Sequence, residues 1–299
     1  MKKTLVLILL ASFLTACAAF NTQKTVYTGS HADQLGAAIA AGDLKQVKKL
    51  VTKSNVNDPI TDKGLTALYI ATYSNQPAIV EYLIQHGADV NFISPSGEFT
   101  PISTAALLKN LNMVKLLVLH GADVNLGAPI IAACVGDTDS PQIIEYLLDN
   151  HADVNVRGYE DTTALITAAS WQNLNSVKLL VENGAKVNVT DRDGLTPLAM
   201  AVIGKGKKTQ NTLDVITYLL DHRSSVLIAD KTLGKNISIT DWYDVNKYQG
   251  AQKDIVIKIT ALLKERQAQE NAILKNLNHN QRANLKAALD KIDADKKGK

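Results

Sequence analysis

The sequence is dominated by a seven-residue phrase that returns at a nearly constant spacing. It reads Gln-His-Gly-Ala-Asp-Val-Asn at residues 85–91, variants of it end at Asn125, Asn155 and Asn188, and a weaker copy ends at Asn57. The successive closing asparagines are 34, 34, 30 and 33 residues apart. A period near 33 residues is typical of a chain built from stacked copies of one small unit, none of which can bury its apolar face alone. The sequence therefore predicts a solenoid of repeats.

A second phrase, which begins with threonine and continues as an apolar run, lies about 20 residues before each closing asparagine. It starts at Thr66, Thr100, Thr163 and Thr196, and proline follows two of these threonines. Threonine favours the N-cap of a helix, and proline fits the first helical position because no N–H is needed there. Each predicted helix carries an alanine at one register, where neighbouring helices could approach closely: Ala71, Ala105, Ala168 and Ala201.

Each repeat then continues with a second predicted helix, in which apolar residues recur at i, i+3 and i+4. Gly87, Gly121 and Gly184 follow these helices, and glycine ends a helix in the left-handed conformation at the least cost. His151 and Arg223 stand at the equivalent positions, where a side chain costs about 1 kcal/mol. These two repeat ends are predicted to be the loosest.

Together, the two phrases resemble the ankyrin repeat, which reads T-P-L…A-A and then V-x-x-L-L-x-x-G-A-D-V-N. The resemblance covers residues 33–263. It implies an all-α ankyrin-repeat solenoid of helix-turn-helix repeats with short β-hairpin fingers: a capping repeat, five repeats and a degenerate C-terminal cap. Residues 264–299 are predicted to form a helical basic tail. The third repeat departs from the pattern, because Ala128 follows Asn125 by only three positions and leaves no room for a finger.

The N-terminus has the pattern of a signal peptide at residues 1–16, with a basic start and an apolar run too short to span a bilayer. Leu-Thr-Ala-Cys at residues 14–17 resembles the lipobox of bacterial lipoproteins. That resemblance implies lipidation of Cys17, a tether over residues 17–32 and a membrane anchor. An ordinary signal peptide with a chance cysteine is the alternative. Ala18 resembles the sorting pattern of outer-membrane lipoproteins, so the implied location is the bacterial cell envelope, at the outer membrane and facing the periplasm.

Charge and motifs argue against several other functional classes. The formal net charge is +3, of which the predicted signal peptide carries two lysines, so no strong field favours nucleic acid. Residues 204–209, Gly-Lys-Gly-Lys-Lys-Thr, lack the spacing of a phosphate-binding loop and are predicted to form a solvated basic loop. His86, His120 and His222 share one register, but stacked helices lie about 8–10 Å apart, too far to share a metal ion.

Motifs typical of catalytic sites are also missing from the sequence. It contains no nucleophile–base signature, and Cys134 falls inside an alanine-rich helix, where a packed and inert thiol is expected. The sequence therefore predicts a protein that is not an enzyme and takes no cofactor, metal or small-molecule substrate.

The ankyrin resemblance implies a concave protein-binding face lined by the fingers and the first helices. Carried over to this sequence, the family's binding positions fall at finger tips and first-helix ends: Asp62, Lys63, Leu65, Tyr73, Glu98, Phe99, Leu107, Tyr159, Glu160, Trp171, Arg192, Asp193 and Leu195. Aromatic residues mixed with both signs of charge suit a protein interface. The expected partner is therefore a protein.

Two roles remain open for such a protein. One is a membrane-tethered periplasmic lipoprotein that binds a protein partner through its concave face. Some ankyrin-type lipoproteins suggest a specific version of it, an immunity or inhibitor protein for a toxic secreted enzyme. The other is an envelope-structural or stress-protection adaptor that contacts lipid or peptidoglycan.

Overall fold

The computed structural model describes residues 29–95, 99–204, 208–230, 235–238 and 249–276. The predicted signal peptide, Cys17, most of the tether, Glu98 and the predicted first helix of the C-terminal cap lie outside the described residues. The chain divides into two compact units, an N-terminal unit of residues 1–129 and a C-terminal unit of residues 130–299.

The N-terminal unit consists of three helix pairs. They are α1 (Ser30–Ala40) with α2 (Leu44–Leu50), α3 (Ala67–Tyr73) with α4 (Pro77–Gln85), and α5 (Pro101–Leu107) with α6 (Leu111–Leu119). The helices of each pair contact each other. The first helices α1, α3 and α5 pack in sequence, and so do the second helices α2, α4 and α6. The predicted stacking of helix pairs is confirmed.

The C-terminal unit also consists of packed helices. Its first helix, α7, begins at Pro129, the last residue of the N-terminal unit. Its helices are α7 (Pro129–Ala133), α8 (Pro141–Asp149), α9 (Ala164–Trp171), α10 (Leu174–Glu182), α11 (Pro197–Ile203), α12 (Gln210–Asp221) and α13 (Ala251–Asn276). Strands β1 (Leu227–Asp230) and β2 (Lys235–Ser238) pair antiparallel, with Leu227 opposite Ser238. First helix α9 packs on α11, and second helix α10 packs on both α8 and α12.

Local sequence signals account for where the first helices begin and how closely they pack. The side chain of each predicted N-cap threonine accepts a hydrogen bond from the backbone N–H three residues later, at 3.1–3.4 Å. This bond satisfies one of the N–H groups that a helix start leaves open. The four alanines at the shared register are fully buried, as close packing of first helices requires.

The closing asparagine of one repeat clamps the helix end of the next. Asn57 Nδ2 donates to the Gly87 carbonyl at 2.9 Å, and Asn57 Oδ1 accepts from the Asp89 N–H at 2.8 Å. The same pair of bonds links Asn91 to Gly121 and Asp123, Asn155 to Gly184 and Lys186, and Asn188 to Arg223 and Ser225. One amide side chain thus supplies both a donor and an acceptor, which explains why asparagine marks the period.

The residues that end the second helices adopt the predicted left-handed conformation. Gly87, Gly121 and Gly184 have φ values of 93°, 88° and 86°. His151 and Arg223 occupy the same region, at 69° and 67°. These two residues, which carry a Cβ, therefore adopt a backbone conformation that is strained for them and unstrained for glycine.

The third repeat lacks its finger, as predicted, and its insertion has a structural role. Only residues 126–128 separate Asn125 from α7. In the insertion between α7 and α8, the Asp139 carboxylate accepts from the Asn175 N–H at 2.8 Å, from the Ser176 N–H at 3.2 Å and from the Ser176 hydroxyl. Asp139 therefore caps the first turn of α10, a helix of the following repeat.

Helix α13 packs on the last helix pair through buried apolar side chains. Val256, Ile259 and Leu263 are fully buried, and α13 contacts α12. The helix runs unbroken through residue 264, where the sequence predicted the repeats to end and a tail to begin. One continuous helix therefore serves both parts, and the domain boundary at residue 264 stays a prediction.

Polar contacts extend this packing beyond the predicted boundary. Glu270 accepts from the Ser225 hydroxyl at 2.9 Å and from the Val226 N–H at 3.1 Å. Arg266 Nη2 donates to the Leu220 carbonyl at 3.1 Å. Among the helices of the described ranges, none is long and apolar enough to cross a membrane.

Candidate functional site

The predicted binding positions lie in two structural settings, which together we name the finger surface. One setting is the fingers, the loops that precede the first helices at residues 58–66, 92–100, 156–163 and 189–196. The other is the C-terminal end of the first helices α3, α5 and α9. The finger surfaces of the N-terminal and C-terminal units are described separately.

Backbone hydrogen bonds close the fingers of the N-terminal unit. The Ile60 N–H donates to the Leu65 carbonyl at 2.8 Å, and the Ser94 N–H donates to the Phe99 carbonyl at 2.8 Å. Asp62 and Lys63, at the tip of the first finger, are exposed. Glu98, the predicted tip residue of the second finger, lies outside the described residues.

The two fingers of the C-terminal unit are tied to each other. The Arg192 guanidinium pairs with the Glu160 carboxylate at 2.6 Å, and the Arg192 N–H donates to the Glu160 carbonyl at 2.9 Å. Arg157 Nη1 donates to the carbonyls of Asp161 and Thr190, each at 2.8 Å. These bonds fix the finger tips, on which Tyr159 is 51% exposed.

Three predicted contact residues are core residues instead, which corrects the sequence-based assignment. Leu65, Phe99 and Leu195 are only 4%, 7% and 5% exposed. Each directly precedes the threonine N-cap of a first helix, a position where an apolar side chain turns inward and packs onto the first turns. Their backbone closes the finger while their side chains are unavailable to a partner.

The remaining predicted positions are on the surface. Arg192 and Asp193 are exposed and Glu160 is half-buried. Tyr73, Leu107 and Trp171, which end α3, α5 and α9, are half-buried and present part of each side chain to solvent.

Two exposed apolar residues of the N-terminal unit lie outside the binding positions predicted from the sequence. Ile93 in the second finger is 46% exposed, and Leu108, which follows α5, is 44% exposed. Both adjoin predicted positions, and an apolar residue in a finger or after a first helix is the signal that could have found them. They add apolar area to the finger surface.

Lys208 contradicts the predicted solvated basic loop. It is 4% exposed, and its Nζ donates to the Gly204 carbonyl at 3.2 Å. Burial lowers the pKa of the Lys208 ammonium from 10.5 to about 8, because the charged form loses its hydration. Lys205 and Lys207 lie outside the described residues.

The histidines at the repeat ends have local partners. His86 Nδ1 lies 2.8 Å from the Tyr82 carbonyl, and His222 Nδ1 lies 2.8 Å from the Tyr218 carbonyl. Each imidazole also stacks near its tyrosine, with ring centroids 3.9 Å and 4.1 Å apart. In the described part of the chain, no group of three or more His, Cys, Asp or Glu side chains is placed to hold a metal ion.

Cys134 is fully buried, as expected of a packed thiol. Its Sγ donates to the Ile130 carbonyl at 3.3 Å, a bond within the same short helical segment.

Taken together, the exposed and half-buried residues of the finger surface offer aromatic, apolar and charged side chains for recognition.

Comparisons with known proteins agree with this architecture. A family model described as ankyrin repeats in three copies matches residues 35–128 and 130–230. The chain is 30% identical over 165 residues to the ankyrin repeat protein FPV031 of fowlpox virus, covering 54% of this chain and 38% of that protein. It is 36% identical over 148 residues to human ankyrin repeat and SOCS box protein 6, covering 48% and 28%. The chain thus spans less than two-fifths of the length of either relative.

A solved structure shows the same arrangement of helices. The human ASB11 ankyrin repeat domain matches with a TM-score of 0.59 and 25% identity, over 75% of this chain and 96% of that domain. The ankyrin fold is generally a non-enzymatic scaffold, and its repeats form protein-interaction modules. With the family's repeats matched over most of its length, this chain belongs to the ankyrin-repeat family.

Proposed function

We propose that this protein is a periplasmic lipoprotein held at the membrane and that it binds a protein partner through the finger surface. The observation that carries the binding part is the pair of locked fingers in the C-terminal unit. They hold the exposed Tyr159 beside the Glu160–Arg192 ion pair.

Rigid presentation of an aromatic side chain favours binding. Side chains and loops that become ordered only on association reduce affinity, whereas loops already fixed by hydrogen bonds avoid that cost. Tyrosine, tryptophan and arginine dominate the energetics of protein interfaces. Tyr159, Trp171 and Arg192 supply one of each in the C-terminal unit.

Affinity capture from a cell-envelope extract tests the proposed surface, with the full-length protein as bait. Tyr159→Ala should lose the captured partner. Leu119→Ala is the matched control, because Leu119 is 80% exposed but ends α6, a second helix outside the finger surface. A partner that both variants retain, or that only Leu119→Ala loses, would place the interface elsewhere.

The membrane tether has its support in the lipobox-like Leu-Thr-Ala-Cys at residues 14–17. Two or more acyl chains anchor a protein stably, whereas one does not. Cys17→Ser should therefore move the protein from the membrane fraction to the soluble periplasmic fraction without changing its helical circular dichroism. A variant that still pellets with membranes in high salt contradicts the anchor.

The more specific role within this proposal is that of an immunity or inhibitor protein. It would hold a toxic secreted enzyme inactive by covering it with the finger surface. The captured partner should then show an enzymatic activity that wild-type protein suppresses and Tyr159→Ala does not. Binding to lipid vesicles or peptidoglycan that finger variants leave unchanged would instead support the adaptor role.

A further inference from the structure

Three consecutive residues at the end of α9 hold buried polar atoms in need of a partner. Among the described residues, six buried side-chain nitrogen or oxygen atoms have no hydrogen-bond partner, and Ser170 Oγ, Trp171 Nε1 and Gln172 Nε2 are three of them. Ser170 is 1% exposed. An unpaired buried donor destabilises a fold, so a concentration of such groups at one place suggests that something else pairs with them.

A buried cation lies at the same end of the C-terminal unit. Lys208 is 4% exposed, and its Nζ donates a hydrogen bond to the Gly204 carbonyl at 3.2 Å. The two first helices beside it, α9 and α11, contain no charged residue. On α12, the Asp214 carboxylate accepts from Gln210 Nε2 at 2.7 Å, and Asp221 is the last residue of the helix. No ion pair to Lys208 is formed within the described residues.

Short contacts bring these two sets of groups together. A Cβ added to Gly204, which follows α11, would lie 2.5 Å from the Ser170 carbonyl oxygen, so the C-terminal ends of α9 and α11 touch there. The Thr212 hydroxyl donates to Gln172 Oε1 at 2.7 Å and accepts from the Thr209 N–H at 3.1 Å. Thr209 is bonded directly to Lys208. We name Ser170, Trp171, Gln172 and Lys208 the Lys208 cluster.

We propose that the Lys208 cluster receives a carboxylate of the protein partner, the side chain of an aspartate or glutamate. Lys208 Nζ supplies the positive charge, and Trp171 Nε1 and Gln172 Nε2 supply neutral N–H donors to the carboxylate oxygens. The proposal rests on the proposed function, since Trp171 belongs to the finger surface. It adds the chemistry of the partner group that this part of the surface recognises.

The composition of the cluster favours a carboxylate over a phosphate. A carboxylate carries one negative charge, which one buried ammonium balances, whereas a phosphate carries nearly two and is usually met by several cations or an arginine fork. Trp171 and Gln172 are half-buried, so the cluster borders the surface of the C-terminal unit, and a rotation of their side chains would open its buried N–H groups to a partner side chain. A carboxylate there would pair the ammonium and the unpartnered donors at once.

The pH dependence of partner binding tests this inference. Burial lowers the pKa of Lys208 to about 8, and a bound carboxylate would raise it, so the complex should take up a proton near pH 8–9. Affinity of the full-length protein should fall at least tenfold between pH 7 and pH 9.5. K208M should bind at least tenfold more weakly at pH 7 and should show little change with pH. K186M, which removes an exposed lysine from the C-terminal unit, should behave as wild type.

A second measurement separates failure of this inference from failure of the proposed function. Acetate is titrated into the full-length protein while the Lys208 side-chain signal, assigned with K208M, is followed by NMR over pH. A saturable rise of the Lys208 pKa with acetate, weakened in Q172A, supports the carboxylate site even without a known partner. Inorganic phosphate at the same concentrations should have a smaller effect.

Two outcomes would overturn the inference. If wild type and K208M bind the captured partner equally at both pH values, the carboxylate site is wrong while the proposed function stands. If no partner binds the finger surface, the proposed function fails and the acetate titration decides alone. A Lys208 pKa that acetate leaves unchanged would then identify the ammonium as a structural cap of α11.

Discussion

At the scale of single residues, two positions carry side chains in a backbone conformation that suits glycine. His151 and Arg223 have φ values of 69° and 67° at the ends of α8 and α12. Because both are exposed, His151→Gly and Arg223→Gly should each stabilise the protein by about 0.5–1 kcal/mol through relief of strain. Urea denaturation measures the effect. Gly184→Ala, at an equivalent position with φ 86°, is the control and should destabilise; a loss of stability in both glycine variants would contradict the strain.

Lys208 gives stability a pH dependence whose sign follows from its lowered pKa. Between pH 8 and pH 10.5 the unfolded chain holds a proton on this lysine that the folded protein has released, so stability rises with pH across that window. Below pH 8, burial of the charged Lys208 ammonium lowers the free energy of unfolding by its full amount, on the order of 3 kcal/mol. K208M should therefore be more stable than wild type at pH 7, and the difference in their free energies of unfolding should disappear by pH 10.5. A difference that does not change with pH would show that burial does not lower the pKa of Lys208.

At the scale of elements, the asparagine clamps are polar links that recur between neighbouring repeats. Asn155 makes two bonds to the following repeat, to the Gly184 carbonyl at 3.1 Å and from the Lys186 N–H at 2.9 Å. Asn155→Ala should cost about 1–2 kcal/mol, because it leaves two backbone groups without their partner. Asn183→Ala removes a single bond at the C-terminal end of α10, at 2.8 Å to the Leu179 carbonyl, and should cost less than half as much. If thermal denaturation showed the two variants to lose equal stability, the proposed role of Asn155 in linking repeats would be contradicted.

Local patterns in the sequence were sufficient for the helix starts, the helix stops and the missing finger. Threonine N-caps and stop glycines act within a few residues, so a single repeat contains the whole signal. Asp139 could not be predicted in the same way. It caps α10 from an insertion 36 residues earlier in the chain, and only the folded path of that insertion brings the carboxylate to the helix.

At the scale of the whole molecule, the repeat period predicted where the finger surface lies but not which side chains it presents. Leu65, Phe99 and Leu195 hold the expected register and are buried, since the residue before an N-cap points inward. Lys208 reads as a solvated lysine in a basic loop, but its side chain is buried and donates to the Gly204 carbonyl, where the ends of α9 and α11 touch. Register is a property of sequence, whereas exposure is decided by how successive repeats pack.

The largest single contribution to partner binding should come from Trp171. It ends α9, is half-buried, and carries an indole N–H without a partner among the described residues. Binding energy concentrates at an aromatic anchor of this kind, half-buried in the free protein and covered by a partner. Trp171→Ala should therefore cost about 2 kcal/mol or more of binding free energy, roughly thirtyfold in Kd.

Two further variants separate the ring from its N–H and from general surface effects. Trp171→Phe keeps most of the apolar area but cannot donate a hydrogen bond, so its binding free energy should fall between those of wild type and Trp171→Ala. Glu145→Ala, on the exposed side of the second helix α8, should change affinity by less than about 0.5 kcal/mol. Calorimetry against the captured partner, with circular dichroism to confirm folding, gives the ranking. If Glu145→Ala weakens binding more than Trp171→Ala, the partner binds the second-helix face and the finger surface is not the interface.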